Sequence, residues 1–98
     1  MKKFFLEISL AAELDIKNAY HWYERERKGL GKKIKAEIIQ SFIKIKNSPF
    51  LYQIRYTTIR ICFLNGFPFG IHYTVWNSKI IIVSVFHTAQ DSDRWSSI

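Results

Sequence analysis

Six cations crowd into positions 25 to 35 of this 98-residue chain: Arg25, Arg27, Lys28, Lys32, Lys33 and Lys35. Such a cluster could meet DNA, RNA or an acidic protein, and the formal net charge of +7 would draw any of these by long-range attraction. Glu24 and Glu26 dilute the local field, and no aromatic residue alternates with the cations as in a single-strand binding surface. The other residue types able to do chemistry are scattered. His87 ends an apolar run, a placement that suits a hydrogen-bonded structural group better than a general base. His21, beside Trp22, and His72, within a strand-like run, have no companion ligands at metal spacing, so neither a metal site nor another cofactor is predicted. The one cysteine, Cys62, cannot form an internal disulfide and reads as a small buried hydrophobe, in keeping with a reducing cytoplasm. Tyr73 reads as core. Arg60 faces away from Ile59, Ile61 and Phe63, either as a solvated strand residue or as a contact.

The elements that must position these groups follow from apolar spacing. Phe4-Phe5-Leu6-Glu7-Ile8 has strand character, and Glu7 interrupts the apolar stretch before it reaches the roughly 7–15 residues of a signal-peptide core. Ser9 offers a hydroxyl to cap a first helix whose stripe is Ala12, Ile16, Ala19 and Tyr23, widened by Tyr20 and Trp22. Lys28-Gly29-Leu30-Gly31 should stop it. Ile34, Ile38, Phe42 and Ile45 mark a second helix, with Lys33, Glu37, Gln40 and Lys44 on its polar side and Asn47-Ser48-Pro49 at its end. The short connection makes the two helices antiparallel neighbours. From Arg55 the period falls to two; Asn65-Gly66 and Asn77-Ser78 are turns, and Phe69 to Trp76 and Ile80 to Phe86 are strands. The last strand is apolar on both faces, as a central strand should be. Asp91 to Trp95 suggests a short helical turn.

The reading is one α+β domain over residues 1–98: an N-terminal strand, a two-helix antiparallel hairpin packed on a C-terminal antiparallel sheet, and a final turn of helix. No stretch approaches the roughly 18 apolar residues of a membrane span. Eleven of the fifteen Lys and Arg residues lie between Lys2 and Lys46, so the helical half holds the charge.

The most specific pattern is in the sheet and tail: Arg60, then Phe67-Pro68-Phe69, Ile71 and Tyr73, then Ile80 to Phe86 followed by His87, Asp91, Arg94 and Trp95. With Asp15-Ile16, Ala19, Trp22-Tyr23, Gly29-Leu30-Gly31, Glu37-Ile38 and Asn47-Ser48-Pro49 in the helical half, this order resembles the small toxins of the RelE/ParE superfamily, the ParE branch above all. The resemblance implies a cytoplasmic toxin of a type II toxin–antitoxin pair, silenced by an acidic, partly disordered antitoxin. RelE-like members cleave mRNA on the ribosome using cationic side chains, Tyr or His; ParE-like members bind and poison DNA gyrase. Ribonucleolytic members commonly carry an arginine three residues before the tyrosine matching Tyr73, where this chain has Gly70. They also read His-x-x-Arg-Asp after the last strand, where this chain has Gln90 before Asp91. The resemblance therefore favours gyrase poisoning, with the cluster from Arg25 to Lys35 as target contact. Ribonuclease action through Arg60, Tyr73 and His87 is the alternative, and an inactive interaction module a third reading.

Overall fold

The computed structural model describes residues 3–89. Seven elements run in the order β1 (Phe5–Ile8), α1 (Leu10–Glu26), α2 (Leu30–Asn47), β2 (Ile54–Tyr56), β3 (Ile59–Phe63), β4 (Phe69–Trp76) and β5 (Lys79–His87). The five strands form one sheet in the order β1-β5-β4-β3-β2. β2 to β5 make the expected antiparallel meander. The N-terminal strand joins the same sheet in parallel, Phe5 opposite Lys79 and Ile8 opposite Ile82, so the sheet is mixed. The alternating segment expected from Arg55 onward divides at Thr57 and Thr58 into β2, which starts at Ile54, and β3. Thr57 takes a left-handed φ of 45°, a turn that contains no glycine to announce it.

Both helices cover one face of the sheet. Ala12 and Ala19 of α1, Ile34, Ile38 and Ile45 of α2, and Cys62, Leu64, Ile71, Tyr73, Ile80, Ile82 and Val85 of the sheet form the buried core, with Ile16, Tyr23 and Phe42 packed on it. Burying one such aliphatic side chain contributes about 1.5–3 kcal/mol, and this stripe binds the hairpin to the sheet. In β5 the alternation slips between Ile82 and Val85, because Tyr73 pairs with Ile82 while His72 pairs with Ser84. The extra residue, Val83, makes a bulge that turns Ile82 and Val85 to the same face.

Beyond Ile8 the first strand gives way to α1, which covers the edge that β1 leaves open. Ser9 caps α1 by accepting from the Ala12 N–H at 3.1 Å and donates to the Val83 carbonyl at 2.9 Å. Asp15 then accepts from the Val85 N–H at 2.9 Å, taking the place of a paired strand. The opposite face of the sheet buries Ile61, His72, Ser84 and Phe86, where the Tyr56 hydroxyl and His72 Nδ1 are hydrogen-bonded at 2.9 Å. Among the described residues no helix is long and apolar enough to cross a membrane. The helical turn expected near Asp91 lies outside the described residues.

Candidate functional site

The tip of the hairpin is built by glycine and a carboxylate. The Glu24 side chain accepts from the backbone N–H of Gly29 and of Gly31, both at 3.0 Å, and so satisfies amides that the start of α2 would leave unpaired. The Gly29 N–H above all, with the Gly31 N–H and the nearby Lys32 and Lys28 charges, holds the Glu24 carboxyl below its usual range. Gly29 takes φ 91°, the left-handed region, between the two helices. Gly31 falls inside the first turn of α2 rather than before it. A Cβ there would lie 2.6 Å from the Tyr20 carbonyl oxygen, so its bareness lets the helices approach.

On this frame Arg25, Arg27, Lys28, Lys32, Lys33 and Lys35 are all exposed. Lys28 and Lys32 stand near Glu24, and Lys35 reaches over the Tyr20 ring, 5.9 Å from its centre. The ion pair between Lys79 and Glu7 uses none of these six cations. All six cations predicted as a target surface thus lie on the exterior of the hairpin, with Lys35 set back from the tip against Tyr20.

The residues proposed for nuclease chemistry sit differently. Arg60 and Tyr73 are opposite one another in the β3–β4 register, on the helix-facing side of the sheet. Arg60 donates to the Tyr52 carbonyl at 2.6 Å and, at 3.5 Å, to that of Phe50, whose ring lies 5.2 Å from the guanidinium carbon. Tyr73 is fully buried and donates its hydroxyl to the Pro49 carbonyl at 2.7 Å. Burial raises its pKa, against the opposing charge of Arg60. Together the pair fastens residues 49 to 52, the connection from α2 to β2. His87 pairs instead with Phe69, four residues along β4, or about 13 Å at the usual strand rise. Its Nδ1 accepts from the Ala89 N–H and its ring meets Phe69 edge-on.

Gly70 is buried, and a Cβ on it would lie 2.9 Å from Ile61 Cγ2 and 3.3 Å from the Phe63 ring. Cys62 is buried between α2 and the sheet, with Tyr52 and Ser41 as polar neighbours, and burial pushes its thiol pKa up. Among the described residues no three His, Cys, Asp or Glu side chains group as metal ligands.

Two features passed unnoticed in the sequence. Glu24 is a structural clamp rather than a mere dilution of charge. Leu10 and Leu14, and likewise Ile39 and Ile43, are exposed aliphatic pairs one helical turn apart, off the core stripe. The four-residue spacing was visible, but a second stripe beside the first is masked by it.

The family model for the ParE toxin of type II toxin–antitoxin systems, parDE, matches residues 6–92. The chain belongs to the ParE toxin family. No curated protein sequence matches it. A solved structure described as the chromosomal ParDE TA system from P. aeruginosa superimposes with a TM-score of 0.78 at 16% identity, over 87% of this chain and 96% of that one, a likeness of fold. The α+β architecture expected from the resemblance is thus the ParE one, and membership makes this chain the toxin of a toxin–antitoxin pair with an antitoxin as partner. Its ParE fold presents two distinct surfaces: a cationic hairpin tip, and exposed apolar side chains elsewhere on the helices, on β1 and after α2.

Proposed function

We propose that this ParE toxin arrests growth in the bacterial cytoplasm by binding and poisoning DNA gyrase, with the hairpin tip as its target contact and an acidic antitoxin as its silencer. The observation that carries this over ribosome-dependent mRNA cleavage is the state of the sheet. Gly70, where ribonucleolytic members place an arginine, is closed in by Ile61 and Phe63. Of the arginines of the sheet, Arg60 is committed to backbone carbonyls and Arg55 lies over the Phe63 ring, 5.4 Å from its centre. Phosphoryl chemistry needs positioned charge that can reach the reacting group. The tip, by contrast, offers six exposed cations. Exposed Leu10, Leu14, Ile39 and Ile43 give an antitoxin that folds on binding an apolar strip to cover, and the positive surplus favours an acidic one.

Inducing the chain alone in bacteria should stop growth, and purified protein added to gyrase and supercoiled DNA should block supercoiling or trap cleaved DNA. Normal gyrase activity together with codon-linked mRNA cuts would transfer the reading to ribonuclease action. Continued growth on induction would leave an inactive interaction module.

A further inference from the structure

The distribution of apolar surface separates the tip from the rest of the molecule. The large exposed hydrophobic residues are Phe5, Leu10, Leu14, Trp22, Ile39, Ile43, Phe50, Leu51, Ile54, Phe63 and Trp76; none falls between residues 23 and 38 among the described residues. Within this stretch the exposed charge is six cations against Glu26, with no large exposed apolar side chain; Trp22 and Ile39 stand at its ends. Protein–protein interfaces draw most of their energy from a few aromatic or aliphatic side chains buried at the centre of the patch, with charge at the rim. Phosphate backbones need no such anchor, since affinity comes from cations that displace condensed counterions.

Shape points the same way. In α2 the Ile34 side chain faces the core, and Lys33 and Lys35, one residue to either side, project about 100° away from it in opposite directions, while Lys32 points outward. Arg27 and Lys28 occupy the connection ahead of them. The cations radiate around a convex end instead of paving one plane. A flat acidic surface would touch only one sector of such an end. A groove with phosphates on both rims would engage several: one helix end, about 10–12 Å wide, matches the major groove of about 12 Å, so that α2 would enter it while α1, about 8–10 Å away, meets a rim. The half-buried rings of Tyr23 and Phe67 pack edge to face on each other at 5.0 Å, so the one large open ring beside the tip is Trp22, too few for the run of platforms that unpaired bases stack on.

We infer that the hairpin tip binds double-helical nucleic acid through its phosphates, without sequence preference, so that at the tip the toxin meets the duplex on which its target acts rather than an acidic protein surface. This rests on the tip being the target-contact surface, but not on gyrase being the target.

The test is fluorescence anisotropy of the purified full chain, without gyrase, against a labelled 20-base-pair DNA duplex of arbitrary sequence, between about 50 and 200 mM salt. Binding should be in the range of non-specific contacts, a Kd on the order of 10⁻⁴–10⁻⁶ M, with a log–log salt slope near −3 for about three to four phosphates engaged. The combined variant Arg25→Ser, Arg27→Ser, Lys32→Ser and Lys33→Ser should weaken binding at least about tenfold and flatten the slope. A control with the same loss of charge elsewhere, Lys3→Ser, Lys17→Ser, Lys46→Ser and Lys79→Ser, should weaken it less than about threefold. Duplex RNA binding as well as duplex DNA would support the phosphate reading. Equal loss in both variants, tighter binding to the single strand, or tighter binding to poly-glutamate than to the duplex would each overturn it. Because gyrase is absent, failure here leaves the growth-arrest and supercoiling tests standing.

Discussion

Arg25 at the hairpin tip and Arg60 on β3 are the same side chain in opposite circumstances. Arg25 stands exposed at the end of α1, while Arg60 spends its donors on the carbonyls of Phe50 and Tyr52 and lies over the Phe50 ring. Both read as candidate chemistry in the sequence. The fold makes one a fastening for the loop between α2 and β2 and leaves the other available to a partner. A cation's type and position in a motif therefore say less about its role than whether backbone oxygen has already claimed it.

If the sheet-side cluster is structural, its disruption should be felt first in stability. Tyr73→Ala removes a fully buried ring and strands the Pro49 carbonyl, and should cost about 3–5 kcal/mol in chemical denaturation. A loss below 1 kcal/mol would undo the structural role. Gly31→Ala places a methyl group against the Tyr20 carbonyl and should cost about 1–3 kcal/mol by the same measurement, because backbone must move to admit it. Arg60→Gln shortens the reach to Tyr52 and Phe50 and should cost about 1–2 kcal/mol. Proteolysis within residues 49 to 52 should quicken accordingly.

Glu24→Gln is a smaller change that shows itself through pH. In the folded state the Gly29 and Gly31 amides and nearby lysines hold the Glu24 carboxyl below its ordinary range. Its contribution is thus fully present above the unfolded value of about 4.3 and fades as pH falls through the lower folded value. The variant should melt below wild type at neutral pH, and the gap should close under acid; a gap independent of pH would argue for a packing effect instead. Smallest of all for each side chain should be the stability change from converting Arg25, Arg27, Lys32 and Lys33 to serine, within about 0.5 kcal/mol per substitution, since these side chains are exposed. Their value lies in contact with a partner.

Much of this was legible in the residues. Ala12, Ile16, Ala19 and Tyr23, and Ile34, Ile38 and Ile45, declared their helices because apolar spacing is a local signal and the core they enter is the only place to bury it. Asn77 and Asn65-Gly66 marked turns by type. Thr57 did not, because a β-branched residue at positive φ is held there by the strands on either side. The parallel pairing of β1 with β5 joins residues more than seventy positions apart, and no local pattern encodes it. Of the two candidate sites, the tip was readable from charge density alone. The engagement of Arg60 and Tyr73 depends on where the loop from Pro49 to Tyr52 passes, which only the tertiary structure supplies.

The most direct measurement sets the two regions against each other in living bacteria. The serine variant of Arg25, Arg27, Lys32 and Lys33 and the variant Tyr73→Phe would be induced to equal soluble levels and growth followed. The tip variant should let cells grow while Tyr73→Phe still arrests them. Arrest by the tip variant and growth with Tyr73→Phe would contradict this and return the toxic chemistry to the sheet.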